Sequence, residues 1–310
     1  VLILGVKMCK NCELKPVYIL QNDRKLCKAC FIRYFERKVR RTIRKYKLVE
    51  KKDKVVVACS GGKNSTSILS ILNEISKNTK QFSISAVSID ECIKNSRKKI
   101  LDSIGKLCKK NDICFEIISF EDYFDSNLDK LMKKVRVKNK KLSECDVCSI
   151  LKRRILNDYC VKVKADKLCT GHNMDDEAQS ILINQFRKNT ECGVRSGPIT
   201  GIKKNKKTVR RIKPLYFITE KETLLYSKLK GFDTKELVCP YSSSSYKNSV
   251  KKVLNDFEKK YQGTKNSIIS SFLEIMPLLK KEFKCSKINY CIKCGEPTLR
   301  KKCQICELLK

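Results

Sequence analysis

Apolar residues recur along this chain in two rhythms. Short unbroken runs, KVVVAC at 54–59, FSISAVSID at 82–90, ICFEIISF at 113–120 and KLCTG at 167–171, predict buried strands. Between them apolar positions return every three or four residues. That spacing predicts helices over 65–77, where Ile68, Leu69 and Leu72 share a face, and over 95–110, 122–135, 148–163 and 174–187. Strand–helix alternation of this kind predicts an α/β fold, a doubly wound parallel sheet with helices on both faces. Three more helices are expected over 219–230, 248–260 and 264–281. Residues 26–47, LCKACFIRYFERKVRRTIRKYK, read as a basic amphipathic helix, and 203–214, KKNKKTVRRIKP, as a basic mobile segment.

Charge changes the picture. The 310 residues carry 69 Lys and Arg against 33 Asp and Glu, a formal +36 spread along the whole chain. A hydrophobic fraction of 41% still supplies a core. A compact body in such a field repels itself, and its natural partner is a polyanion such as nucleic acid. No run of 18 apolar residues predicts a membrane span, and VLILGVKM is too short an apolar stretch to read as a secretory leader.

The 19 cysteines then divide the chain. Ten form five C-x-x-C pairs: Cys9/Cys12 with Cys27/Cys30, Cys291/Cys294 with Cys303/Cys306, and Cys145/Cys148 alone. Two residues between thiolates let one tight turn present both sulfurs to one ion, and two turns complete a tetrahedron. Each terminus therefore predicts a structural four-cysteine zinc site in a chain kept in a reducing compartment. The expected organisation is a zinc module with a basic helix over 1–50, a nucleotide-binding domain over 51–240, a helical extension over 241–284 and a zinc ribbon over 285–310.

Ligands of doubly wound sheets sit beyond the carboxyl ends of the strands. Ser60–Ser65, Asp90 and Gly171–Asp176 all fall there. In VACSGGKNS, following Cys59, the pair Gly61–Gly62 lets backbone approach an anion, and Ser60, Lys63 and Ser65 add donors at a helix N-terminus. The spacing differs from a Walker loop.

VACSGGKNS resembles the pyrophosphate loop of the N-type ATP pyrophosphatases. CDVCSILKRR (145–154), TGHNMDDEAQSILIN (170–184) and ELVCPYS (236–242), with both cysteine modules, make nearly the whole chain similar to the cytoplasmic tRNA 2-thiolation protein 1 family. The resemblance implies ATP-dependent adenylation of the C2 oxygen of the wobble uridine, followed by sulfur transfer. It implies that Cys145, Cys148 and Cys239 serve the sulfur step, either as ligands of a [4Fe–4S] cluster with one open iron or through a persulfide and disulfide without iron. It assigns Lys152 to the ATP phosphates, Gly171 and Ile89 to the adenosine, and Asp176 to activation through proton transfer or Mg2+. Asp175 is a candidate cap for the helix beginning there. His172, the single histidine, is a candidate phosphate donor or a structural group. Arg211 and Lys213 are candidates for ATP or RNA backbone.

Two positions depart from the family pattern: Asn64 stands where aspartate is usual, and Ser149 where glycine is common. The resemblance further implies a cytoplasmic enzyme, a thiocarboxylated ubiquitin-like sulfur donor and a paralogous tRNA 2-thiolation protein 2 subunit, with a homodimer as another assembly. The rival readings are a lysidine-type tRNA ligase, which shares the loop but does not need the three cysteines, and a catalytically degenerate RNA-binding subunit.

Overall fold

A computed structural model describes residues 8–9, 12–93, 97–138, 143–200, 207–234, 241, 246–282, 289–298 and 300–309. The first module is a hairpin, β1 (Tyr18–Ile19) and β2 (Lys25–Leu26), leading into α1 (Lys28–Lys45). The alternating core follows: β3 (Lys54–Ala58), α2 (Lys63–Thr79), β4 (Ser83–Asp90), α3 (Lys98–Lys110), β5 (Cys114–Ser119), α4 (Phe120–Phe124), α5 (Leu128–Lys138), α6 (Glu144–Lys162), β6 (Lys167–Cys169), α7 (Met174–Phe186), α8 (Thr190–Val194), β7 (Arg210–Ile212) and α9 (Glu220–Leu229). Then come α10 (Tyr246–Lys260), α11 (Thr264–Glu282), the hairpin β8 (Asn289–Tyr290) and β9 (Pro297–Thr298), and α12 (Gln304–Leu309).

The main sheet runs β5-β4-β3-β6-β7, with every pairing parallel. Strand order reverses at the β3/β6 boundary, so the turns after these two strands flank a crevice where such sheets bind ligands. Val55 and Val57 face one helical layer and Val56 the other, which is why β3 reads as a continuous apolar run.

The basic helix α1 is not a detached arm. Phe31, Phe35 and Val39 are fully buried in the same core as Val55, Val57 and Leu72, and Phe35 stacks on Tyr226 of α9 at 4.1 Å. Burial of each such side chain contributes about 1.5–3 kcal/mol. At the other end, α12 packs on α5 and α6, and Leu308 joins the core formed by Ile89, Val147 and Leu151.

The structure corrects several expectations. Part of the supposed mobile segment 203–214 is β7, the edge strand of the parallel sheet. Ile212 is fully buried there, and Lys213 is accepted into the interior by Glu177 at 2.7 Å. The helix expected over 122–135 is two, because Asp125 turns left-handed at φ 53° and ends α4. Helix α6 begins at Glu144 rather than 148, capped by Ser143, whose side chain and that of Asp146 bond each other's backbone N–H groups. No helix among the described residues is long and apolar enough to cross a membrane.

Candidate active site

The turn after β3 is built to leave donors open. Gly61 adopts φ +80°, and a Cβ there would lie 2.1 Å from Ile100 Cγ2. Gly62 is the N-cap of α2 and supplies no side-chain bond, so the first N–H groups of α2 remain available to an anion. Ser65 Oγ braces the turn, accepting from the Ser60 N–H at 3.2 Å and donating to the Gly62 carbonyl at 3.1 Å. Lys63 lies 3.2 Å from Glu220 of α9. The Cys59 thiol is buried in the core, where burial and the neighbouring Cys108 and Cys169 push it well above the ordinary thiol range. Only its backbone belongs to the loop.

The turn after β6 presses against this loop from the other side of the reversal. A Cβ on Gly171 would meet the Ser65 nitrogen at 2.8 Å and the Asn64 carbonyl carbon at 3.0 Å. Asn173, not Asp175, caps α7: its side chain accepts from the Asp176 N–H at 3.0 Å, and Asp176 accepts the Asn173 N–H in return. Asp175 instead pairs with Lys265 and accepts from the Glu220 N–H at 2.7 Å. Asp176 keeps a half-open carboxylate, with Lys247 at 3.8 Å.

His172 bonds Thr170 Oγ1 through Nδ1 at 2.9 Å. Its ring reaches solvent, but crowding desolvates it and Lys213, Lys247 and Arg211 repel the charged form, lowering its pKa to about 4 against the pull of Asp176. Arg211 is itself lowered to about 10, first by burial and then by Arg153.

Helix α6 supplies the thiols. Cys145 and Cys148 stand at i and i+3 in its first two turns, and Lys152 follows one turn later on the same face. The Cys145 Sγ donates to the Tyr241 carbonyl at 3.2 Å, which sets Tyr241, two positions beyond Cys239 in the sequence, against the helix. Cys239 itself lies outside the described residues. Ser149 is exposed on α6 and Ile89 is buried in the second core against α4–α6.

The residues that tie the two halves together escaped the sequence reading. Glu91, just past β4 and 5% exposed, pairs with both Lys152 and Arg97, and Arg97 donates to the Ser60 carbonyl at 3.0 Å. Burial pushes the Glu91 carboxyl up, but Lys152 and Arg97 outweigh it and hold the group below its usual range. A continuous polar chain therefore runs from the thiol helix to the loop.

A PP-loop domain family matches residues 33–236. The tRNA-5-methyluridine(54) 2-sulfurtransferase of Pyrococcus horikoshii is 32% identical over 96% of this chain and 92% of its own length. The tRNA 2-thiolation protein NcsA of Haloferax volcanii is 30% identical over 97% and 98%. The chain belongs to the PP-loop family of tRNA 2-thiolation proteins. Cytoplasmic tRNA 2-thiolation protein 1 of Danio rerio, 28% identical, is covered over 87% of its length. Among solved structures, the U34-tRNA thiolase NcsA from Methanococcus maripaludis with its [4Fe–4S] cluster superposes with a TM-score of 0.82 at 28% identity, over 99% of this chain and 96% of that one.

Two further features of this thiolation-family chain bear on metals. The four thiols of Cys9, Cys12, Cys27 and Cys30 converge within 4.8 Å, as do those of Cys291, Cys294, Cys303 and Cys306. Two of the sulfur–sulfur distances, 3.4 Å between Cys12 and Cys30 and 3.6 Å between Cys294 and Cys303, approximate the edge of a zinc–thiolate tetrahedron, about 3.8 Å for 2.3 Å bonds. Beside the loop, a polar pocket of about 50 Å3 is lined by Asn64, Asp175, Asp176 and Glu220, and also by Lys251 and Lys265, which pair with Glu220 and Asp175. The Asn64 Oδ1 is buried there without a hydrogen-bond partner among the described residues.

Proposed function

We propose that this protein thiolates the C2 position of the wobble uridine of tRNA at the expense of ATP. The observation that carries this reading is the polar chain Lys152–Glu91–Arg97–Ser60, which joins the cysteine helix to the anion-ready loop in one framework. In the first step the uridine C2 oxygen attacks the α-phosphate of ATP and pyrophosphate leaves into the loop, against the Ser65 N–H and the Lys63 ammonium. In the second, a sulfur nucleophile adds at C2 and AMP departs with the original oxygen.

The chain's own residues divide this work. Lys152 exchanges Glu91 for the phosphates of bound ATP, and Gly171 holds its turn close enough for α2 to face them. Asp176, the least occupied carboxylate of the pocket, joins Asn64 Oδ1 as a ligand for Mg2+, which takes one or two protein oxygens plus substrate phosphates. The unpartnered Asn64 oxygen supports that fit: it replaces a carboxylate with a neutral donor and keeps the geometry. Cys145, Cys148 and Cys239 would hold the group that carries the sulfur, which stays at the sulfide level throughout; in the sequence only Pro240 separates Cys239 from Tyr241, whose carbonyl Cys145 bonds. Three thiolates suit a [4Fe–4S] cluster, which when bound offers one iron position for sulfide. Four thiols at each end suit one structural Zn2+ apiece. The sulfur donor and a paralogous partner subunit of the family resemblance belong to this reading as well.

The test is to incubate anaerobically prepared protein with tRNA, ATP and sulfide, and to map 2-thiouridine by nuclease digestion and mass spectrometry. Thiolation at position 34 supports the proposal. Thiolation at 54, as the name of the Pyrococcus relative states for that protein, replaces the wobble base with the T-loop base. No thiolation with tRNA still bound returns the degenerate reading.

A further inference from the structure

A second cavity, of about 270 Å3, opens in the N-terminal zinc module, and none of the residues lining it belongs to the loop, α6 or α7. Its apolar lining is Leu20 and the buried Leu26, its polar lining is Tyr34 and the arginines Arg24, Arg33 and Arg37, and Cys30 of the four-thiol cluster closes it on one side. Among the described residues no acidic side chain lines it. Cations beside an apolar lining with an aromatic ring select a ligand that is both anionic and flat, a nucleoside phosphate. The volume lies just below the roughly 300 Å3 where small-ligand pockets begin, which limits the occupant to one nucleotide unit.

Helix α1 decides between a free nucleotide and one held in a strand. Its inward cations are engaged: Lys38 with Glu222 at 2.9 Å and Arg40 with Glu74 at 2.7 Å. Arg37, Arg41 and Arg44 are exposed and make no ion pair among the described residues. With Arg33 they follow i, i+4, i+8, i+11 spacing, one face of the helix, and span about 16 Å at 1.5 Å per residue. A free nucleotide would use the pocket and leave this stripe idle. A strand uses both, its successive phosphates along the arginines and one base in the pocket.

The platform is also fixed relative to the reaction site. Tyr34 and Lys38 bond Glu222 at 2.8 and 2.9 Å, and Glu220, in the same first turn of α9, meets Lys63 of the loop.

We propose that the α1 arginine stripe and the pocket beside it form an anchor for the RNA substrate, in which one unpaired nucleotide remote from the target uridine is held by Arg24, Arg37 and the Tyr34 ring. This rests on the tRNA reading above. Arg33 is left out of the test because its Nη2 donates to the Cys30 sulfur at 3.3 Å, so its loss would disturb the zinc site.

The experiment uses zinc-loaded full-length protein and a tRNA transcript, with zinc content and melting temperature checked for every variant. The triple variant Arg37→Ala, Arg41→Ala, Arg44→Ala is expected to flatten the slope of log K against log salt by about 0.7–0.9 per arginine. Nucleotide-resolved chemical probing of the wild-type complex is expected to show one protected nucleotide outside the target loop, exposed again with Arg24→Ala, Arg37→Ala. An unchanged slope, or protection that survives the double variant, overturns the anchor. So does displacement of the protected nucleotide by millimolar AMP at unchanged tRNA binding, which would make the pocket a free-nucleotide site. Wild-type protein that does not bind tRNA at all refutes the function itself instead.

Discussion

Replacing Gly171 by alanine tests whether the two turns at the strand reversal form one nucleotide cradle. The new Cβ would stand 2.8 Å from the Ser65 nitrogen, 3.0 Å from the Asn64 carbonyl carbon and 3.1 Å from the Ser65 Cα, all backbone atoms that no rotamer change can remove. Carbon contacts settle at about 3.5–4.0 Å, so the loop must retreat by roughly 0.7 Å or more. Overpacking of this kind costs about 1–3 kcal/mol of stability. The displaced N–H is one of those aimed at the phosphate, and a hydrogen bond to a charged group is worth about 1.5–3 kcal/mol. ATP affinity should therefore fall roughly 10- to 100-fold at about 1.4 kcal/mol per decade. Isothermal titration with ATP, beside a thermal scan, reads both quantities. Gly105→Ala is the control: its Cβ would meet only the Phe115 ring, at 3.8 Å, and sits inside α3, so stability should rise by about 0.5–1 kcal/mol. A Gly171→Ala protein that binds ATP like the wild type would refute the cradle.

Other consequences are as specific. Glu91→Ala leaves the buried Arg97 without its carboxylate and should cost about 3–5 kcal/mol by urea unfolding; adding Arg97→Met should recover part of that loss, whereas strictly additive losses would deny the coupling. The single histidine gives one imidazole signal by NMR, expected to titrate near pH 4; a midpoint at the ordinary value of about 6.5 would contradict the crowded cationic setting. Because the unfolded chain binds that proton more readily, the contribution of His172 to stability is intact above about pH 6.5 and is lost as pH falls toward 4. Stripping the C-terminal thiols of metal should loosen α6, since Glu296 holds Arg154 at 2.6 Å and Leu308 packs in the core with Leu151. Faster amide exchange in α6 after chelation is the readout, and unchanged exchange would separate that module from the site.

Where periodicity was unambiguous, the sequence carried the fold: the apolar runs at 54–59 and 82–90 became the central strand β3 and its neighbour β4, and the paired cysteines at each end converged. β7 escaped because two of its three residues are arginines, with one buried isoleucine, and it follows a run of lysines. The start of α6 was misplaced because a C-x-x-C pair reads as a turn, and the cap at Ser143 sits before it. The thiols, Lys152 and the loop were legible by resemblance. Glu91 and Arg97 were not: one basic residue among 69 has no local signature, and its meaning comes from a partner six residues away.

The proposed function requires that one uridine meet both the nucleotide loop and the three thiols. Quantifying AMP and 2-thiouridine together, in wild type and in Cys239→Ala under anaerobic conditions, tests it most directly. The account predicts one AMP for each 2-thiouridine in the wild type and no 2-thiouridine from the variant. Undiminished thiolation by Cys239→Ala would contradict it.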